Sequence, residues 1–156
     1  MFSLIIAIVS IALVVALVAA TMYYGGDSLT QGRTTADAAA FVSGAQQIAG
    51  AQTMHLSLTG TPAATVSGGV AGSDLVLDKY LASAPVVKAD AAGVWTLDTV
   101  NRLVTDIVAS NAICIQINKS AGVPTAAADA NAVVAADIAN LPYGCISATR
   151  TFQFKY

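Results

Sequence analysis

The chain contains no glutamate. Its nine acidic residues are all aspartate, seven scattered Lys and Arg oppose them, and only 10% of positions are charged, for a formal net charge of -2. Without a basic patch or charge run there is no surface for nucleic acid or anionic lipid, so neither is expected as a partner. Histidine occurs once, at His55, and cysteine twice, at Cys114 and Cys145. No CxxC or Cys/His spacing suggests zinc, no glycine pattern cradles phosphate, and no nucleophile elbow is present. Catalysis, a metal and a cofactor are therefore not expected. His55 reads as a helix-end or surface residue. The pairs Asp74/Asp78 and Asp129/Asp137 read as solvated faces or caps rather than acid/base or calcium sites.

Charge is also missing from the first 26 residues, where nearly every position from Phe2 to Ala20 is apolar. The large ones are Phe2, Leu4, Ile5, Ile6, Ile8, Val9, Ile11, Leu13, Val14, Val15, Leu17 and Val18. At about 1.5 Å per residue such a run spans roughly 30 Å, the thickness of a bilayer core, with Tyr23 and Tyr24 at interfacial depth. Three readings compete. A cleavable secretory signal could end near Val18-Ala19-Ala20, but no Lys or Arg precedes the run and the run is longer than a usual signal core. A signal anchor and an assembly helix that leaves the bilayer to pack against copies of itself are the other two. Hydropathy does not separate these.

Setting the span aside leaves about 130 residues, enough for one domain with a modest core. A low charge with many Ala, Ser, Thr and Gly suits a surface that packs on protein, or is a plain alanine bias. In an exported domain Cys114 and Cys145 would form one disulfide, which stabilises by about 3 to 4 kcal/mol in the chain-entropy model. Two buried free thiols are the alternative.

Gly25 and Gly26 are expected to break the helix, dividing the chain into an assembly helix (1–24), a glycine-containing break (25–33) and a head domain (34–156). Helical spacing resumes from Thr34. Ala38, Phe41, Val42, Ala45, Ile48 and Ala49 share one stripe, with Arg33, Asp37, Ser43, Gln46 and Gln47 off it, as far as His55. Gly60 to Gly72 reads as an exposed loop, in which Gly68 and Gly72 carry no dimerisation signal. Val86-Val87 and Val94 to Leu97 suggest a hairpin, with Trp95 in the core. Val100, Leu103, Val104, Ile107 and Val108 suggest a helix between Asp98 and Ser110 with a charge ladder through Asp98, Arg102 and Asp106. Alternation at Ile113, Ile115 and Ile117 suggests a strand, Thr125 to Asn140 an Ala-rich helix ended by Pro142, and Cys145 to Tyr156 a last strand. Asn118-Lys119-Ser120 matches a glycosylation acceptor, a short pattern that arises by chance.

This order of parts, with Ile113-Cys114-Ile115-Gln116-Ile117-Asn118-Lys119 after a helix and a last strand entered through Cys145, resembles the type IV pilins, particularly the type IVb branch. The resemblance covers the whole chain in architecture and cysteine placement. It implies an α+β fold in which a long N-terminal helix packs on a small, mainly antiparallel sheet with one or two further helices. It also implies that Met1 is the processed first residue, that Cys114 and Cys145 staple the C-terminal part, and that the long helix forms a filament core. The implied partners are copies of the chain, the membrane before assembly, and an inner-membrane assembly machinery.

One departure stands out: such pilins usually carry glutamate at the fifth position, and here it is Ile5. No acid appears before Asp27. Membrane residence is easier without a buried charge, and one device for registering subunits is lost. The expected function is a structural filament subunit. A monomeric membrane-anchored binding domain, offering the Gly60 to Gly72 loop to a partner, is the competing class.

Overall fold

A computed structural model of the chain describes residues 2–91 and 93–156. Met1, the expected processed residue, and Ala92, in the expected hairpin, lie outside them. The chain divides into two compact units, Met1–Arg33 and Thr34–Tyr156. Its elements run α1 (Phe2–Thr59), β1 (Thr96–Asp98), β2 (Leu103–Ile107), α2 (Asn111–Ala121), α3 (Thr125–Asp129), α4 (Ala135–Ile138), β3 (Tyr143–Ile146) and β4 (Thr151–Lys155). The α+β class and the long N-terminal apolar helix are as the sequence suggests.

In the first unit, Phe2–Tyr23 has a mean hydropathy of 3.0 and none of it is buried. Two of its hydroxyls are turned back onto the helix backbone. Ser10 Oγ donates to the Ile6 carbonyl at 2.7 Å and Thr21 Oγ1 to the Val18 carbonyl at 2.9 Å, each satisfied within its own helix. Gly25 and Gly26, expected to bring a kink or an unwound turn, both lie inside α1, so the helix is not unwound there. Each glycine costs a helix about 1 kcal/mol, but unlike proline it keeps its N–H, and helix already nucleated on either side propagates through it.

The second unit is built on the sheet β1-β2-β4-β3, antiparallel throughout. The stripe expected on α1 is its core face: Ala38, Phe41, Ala45 and Ile48 are buried, while Ser43, Gln46 and Gln47 are exposed. Phe41 meets Trp95 and Phe152 with ring centroids 6.0 and 5.7 Å away, and those two rings lie 6.2 Å apart. Trp95 is in the core, as expected, and its Nε1 donates to the Pro85 carbonyl at 2.8 Å. Gly44 makes room for it, since a Cβ there would come within 3.0 Å of the indole. A satellite cluster of Val123, Ala128, Val133 and Ile138 lies under α3 and α4.

Several expected elements take other forms. The stretch from Asp98 to Ser110 is turn and strand. Asp98 Oδ1 accepts from the Val100 and Asn101 amides, Arg102 is left-handed (φ 56°), and Leu103–Ile107 pairs with β1 on one side and β4 on the other. The apolar spacing fits both periods, and β-branched side chains with partners on two sides decide for the strand. Ile113 to Ile117 is helix rather than strand. Ser110 caps α2 with its side chain facing the Ile113 amide, Gly122 ends it in the left-handed region at φ 88°, and the buried set is Ile113, Cys114, Ile117 and Asn118, at helical spacing.

Among the described residues Val86–Val87 do not pair with Val94–Leu97: Thr96 pairs with Thr105 and Asp90 bridges Val108. Thr125 to Asn140 splits into α3 and α4. Asn131 is left-handed (φ 52°), and Val133 exchanges hydrogen bonds with Ser147 instead of continuing a helix. The last strand is a hairpin, β3 and β4, with Cys145 opposite Phe152.

Candidate functional site

Three features can carry function: the apolar surface of Phe2–Tyr23, the junction of α2 with β3, and the end of α1. On the first, every expected assembly residue is exposed, from 47% at Val18 to 86% at Phe2, with Ile5 at 58%. Apolar side chains cover all sides of this helix rather than one stripe. It therefore has no inward face of its own, and it is long and apolar enough to cross a membrane.

Cys114 on α2 and Cys145 on β3 are bonded as a disulfide, Cα to Cα 5.4 Å, with both residues buried. One turn along α2, Asn118 clamps the same strand. Its Nδ2 donates to the Cys145 carbonyl at 2.8 Å and its Oδ1 accepts from the Cys145 amide at 2.7 Å. A side-chain amide thus takes the place of a neighbouring strand at the edge of the sheet, where unpaired backbone would otherwise remain. Asn118 is fully buried, so in the folded head it is no glycosylation acceptor. Sequence reading missed this clamp. Its position four residues after Cys114 on a helix capped by Ser110 and Gly122 is the signal that could have found it.

His55 sits near the end of α1 as expected but is buried, not on the surface. Its Nδ1 lies 2.9 Å from the Thr61 carbonyl, which fixes that nitrogen as the donor, and Nε2 lies 3.5 Å from Asp78 Oδ2. Tyr80 packs its ring edge-on at 4.9 Å. Asp74, expected on a solvated face or as a cap, is buried and acts as a cap. It accepts from the Thr65 hydroxyl and from the Gly69, Val76 and Leu77 amides. Burial raises its carboxyl, but the Leu77 and Gly69 amides, the Thr65 hydroxyl and the Val76 amide outweigh that and hold it below the usual value of 3.8. Asp78 accepts from the Gly72 and Asp74 amides.

These carboxylates tie the 60–81 loop to itself and to the end of α1. The histidine has no solvent face on which to meet a substrate. Asp129 pairs with Lys119 and Asp137 caps the Val134 amide, so the second aspartate pair is not brought together as a site. Among the described residues no group of three or more His, Cys, Asp or Glu side chains is placed to hold a metal ion.

Beside the α1 stripe, Thr35, Ala39, Val42, Gln116 and Tyr143 line a shallow hollow of about 270 Å³. Asp106, expected on a helix ladder, is instead an inward residue of β2 at 3% exposure. No protein-family model, curated protein or solved structure matches the chain.

Proposed function

We propose that the chain is a structural subunit of an extracellular, type IV pilus-like filament, held in the inner membrane before assembly and then displayed on the bacterial surface. The observation that carries this reading is the Phe2–Tyr23 helix, apolar on every side and uncovered, joined to a head with its own closed core. Burying about 1.5 to 3 kcal/mol worth of each large side chain against equivalent helices would hold subunits together in water. Much of that gain is already present in lipid, so extraction needs an assembly machine. The disulfide supports an oxidising destination. The α+β layout and the cysteine placement support the pilin resemblance, with Ile5 leaving registration to packing alone.

The test is electron microscopy of material sheared from producing cells, with mass spectrometry of the intact subunit in the same fraction. Thin filaments built from a chain that retains residues 2–23 and lacks the two thiol hydrogens are expected. Detergent-soluble monomers that stay with the membrane would overturn the filament and leave the anchored binding domain as the better reading.

A further inference from the structure

Asp106 is a buried carboxyl that neither the core nor the assembly surface explains. Strand alternation places it on the inward face of β2 with Val104. Its Oδ1 accepts from the Ile107 amide at 2.7 Å, and its Oδ2 is buried with no hydrogen-bond partner. An ionised oxygen in that position is costly.

The carboxyl beside it is Asp90. Asp90 belongs to a strap, residues 85–91, whose last three residues pair with the end of β2 and the residues just after it. The Ala91 amide donates to the Ile107 carbonyl and the Ala109 amide to the Ala89 carbonyl, both at 2.8 Å, with Asp90 bridged to Val108. The remaining neighbours do not neutralise Asp106. Its cross-strand partner on β4 is Phe152, Arg150 gives its guanidinium to the Ala109 carbonyl at 2.7 Å, and Lys88 on the strap is exposed. Two carboxylates only accept, whereas one proton between them makes an O–H···O bond that satisfies Oδ2.

We propose that the protonated Asp106 carboxyl donates to Asp90, and that this bond latches the 85–91 strap to the end of β2, so the head is held most firmly at mildly acidic pH and the strap loosens when Asp106 ionises. Burial raises the Asp106 carboxyl most. The Ile107 amide pulls it back and the Asp90 charge raises it again, to about 7 against an ordinary value of 3.8. Between roughly pH 4 and 7 the folded head therefore keeps a proton that the unfolded chain has lost. Stability falls as pH rises through that window and levels off above it.

The test uses the full chain in detergent, melted from pH 5 to 8 and followed by hydrogen exchange. For the native chain the melting point should fall with pH. Exchange at the Ala91 and Ala109 amides, corrected for intrinsic rate, should speed up about tenfold or more while the amides of β4 stay protected. Asp106→Asn, which keeps the shape of a protonated carboxyl and can donate to Asp90, should be nearly flat with pH and melt above the native chain at pH 8. A native slope retained in Asp106→Asn, or strap exchange that ignores pH, overturns the latch. Should that variant fail to fold, Asp90→Asn decides: a reduced slope supports the latch and an unchanged slope overturns it.

Discussion

The two units use the same kinds of side chain in opposite ways. In Phe2–Tyr23 no residue is buried, although the mean hydropathy is 3.0, whereas in Thr34–Tyr156 Phe41, Ile48, Leu75 and Phe152 are completely enclosed. The difference lies in where polar residues fall. Beyond Thr34 they interrupt the helix at a period that leaves one apolar stripe, and the chain's own sheet covers that stripe. Before Tyr23 nothing marks an outside, so nothing defines an inside. A helix of the first kind closes a core within one molecule. A helix of the second kind offers apolar surface on every side.

Removing residues 1–33 cuts along this boundary and should have the largest effect. Membrane association and assembly are expected to vanish, while residues 34–156 stay a folded, disulfide-bonded monomer that melts within a few degrees of the full chain. A truncated head that unfolds would break the contrast, because the head would then depend on the span. Ile11→Lys sharpens it with one side chain. The lysine raises the cost of membrane insertion by about 2.5 to 3.5 kcal/mol and should leave head melting unchanged.

Within the head, Phe41→Ala removes the ring shared by Trp95 and Phe152 and should cost about 3 to 5 kcal/mol in denaturant unfolding, without affecting membrane residence. Replacing both Cys114 and Cys145 by serine opens a loop whose ends are 31 residues apart and should cost about 3 to 4 kcal/mol. Asn118→Ala leaves the Cys145 amide and carbonyl without their clamp, a loss of about 1 to 3 kcal/mol even with the disulfide intact. An unchanged Asn118→Ala would mean that the disulfide alone fixes that edge.

The smallest effect concerns acid. Asp74 is held below its ordinary value, so its contribution is present above about pH 4 and is lost as pH falls through the folded value, opposite in sign to Asp106. Asp74→Asn should flatten the acid limb of the melting profile and leave the limb toward pH 8 as it was.

The apolar span, the Ala38–Ile48 stripe, the core position of Trp95 and the α+β class were all legible in the residues. The middle of the chain was not. Val100, Leu103, Val104, Ile107 and Val108 match a helical period, yet Val100 is 89% exposed at a turn and Leu103, Val104 and Ile107 serve a strand. Ile113, Ile115 and Ile117 match a strand period, yet Ser110 and Gly122 cap a helix around them. For segments this short both periods fit, and cap residues were the better guide in the second case. The sheet partners that decided the first lie up to 52 positions away, as in Leu103 opposite Lys155.

The sequence by itself determined that a span apolar on all sides precedes one domain, because hydropathy over some twenty residues and helical periodicity are local properties that survive without neighbours. Only the tertiary structure decided which side chains became partners. It placed Asn118 against Cys145, Asp90 against Asp106 and His55 in the interior. Each of those contacts depends on chain crossings and on burial, which fix the cost of an unpaired polar atom and are written nowhere in the local text.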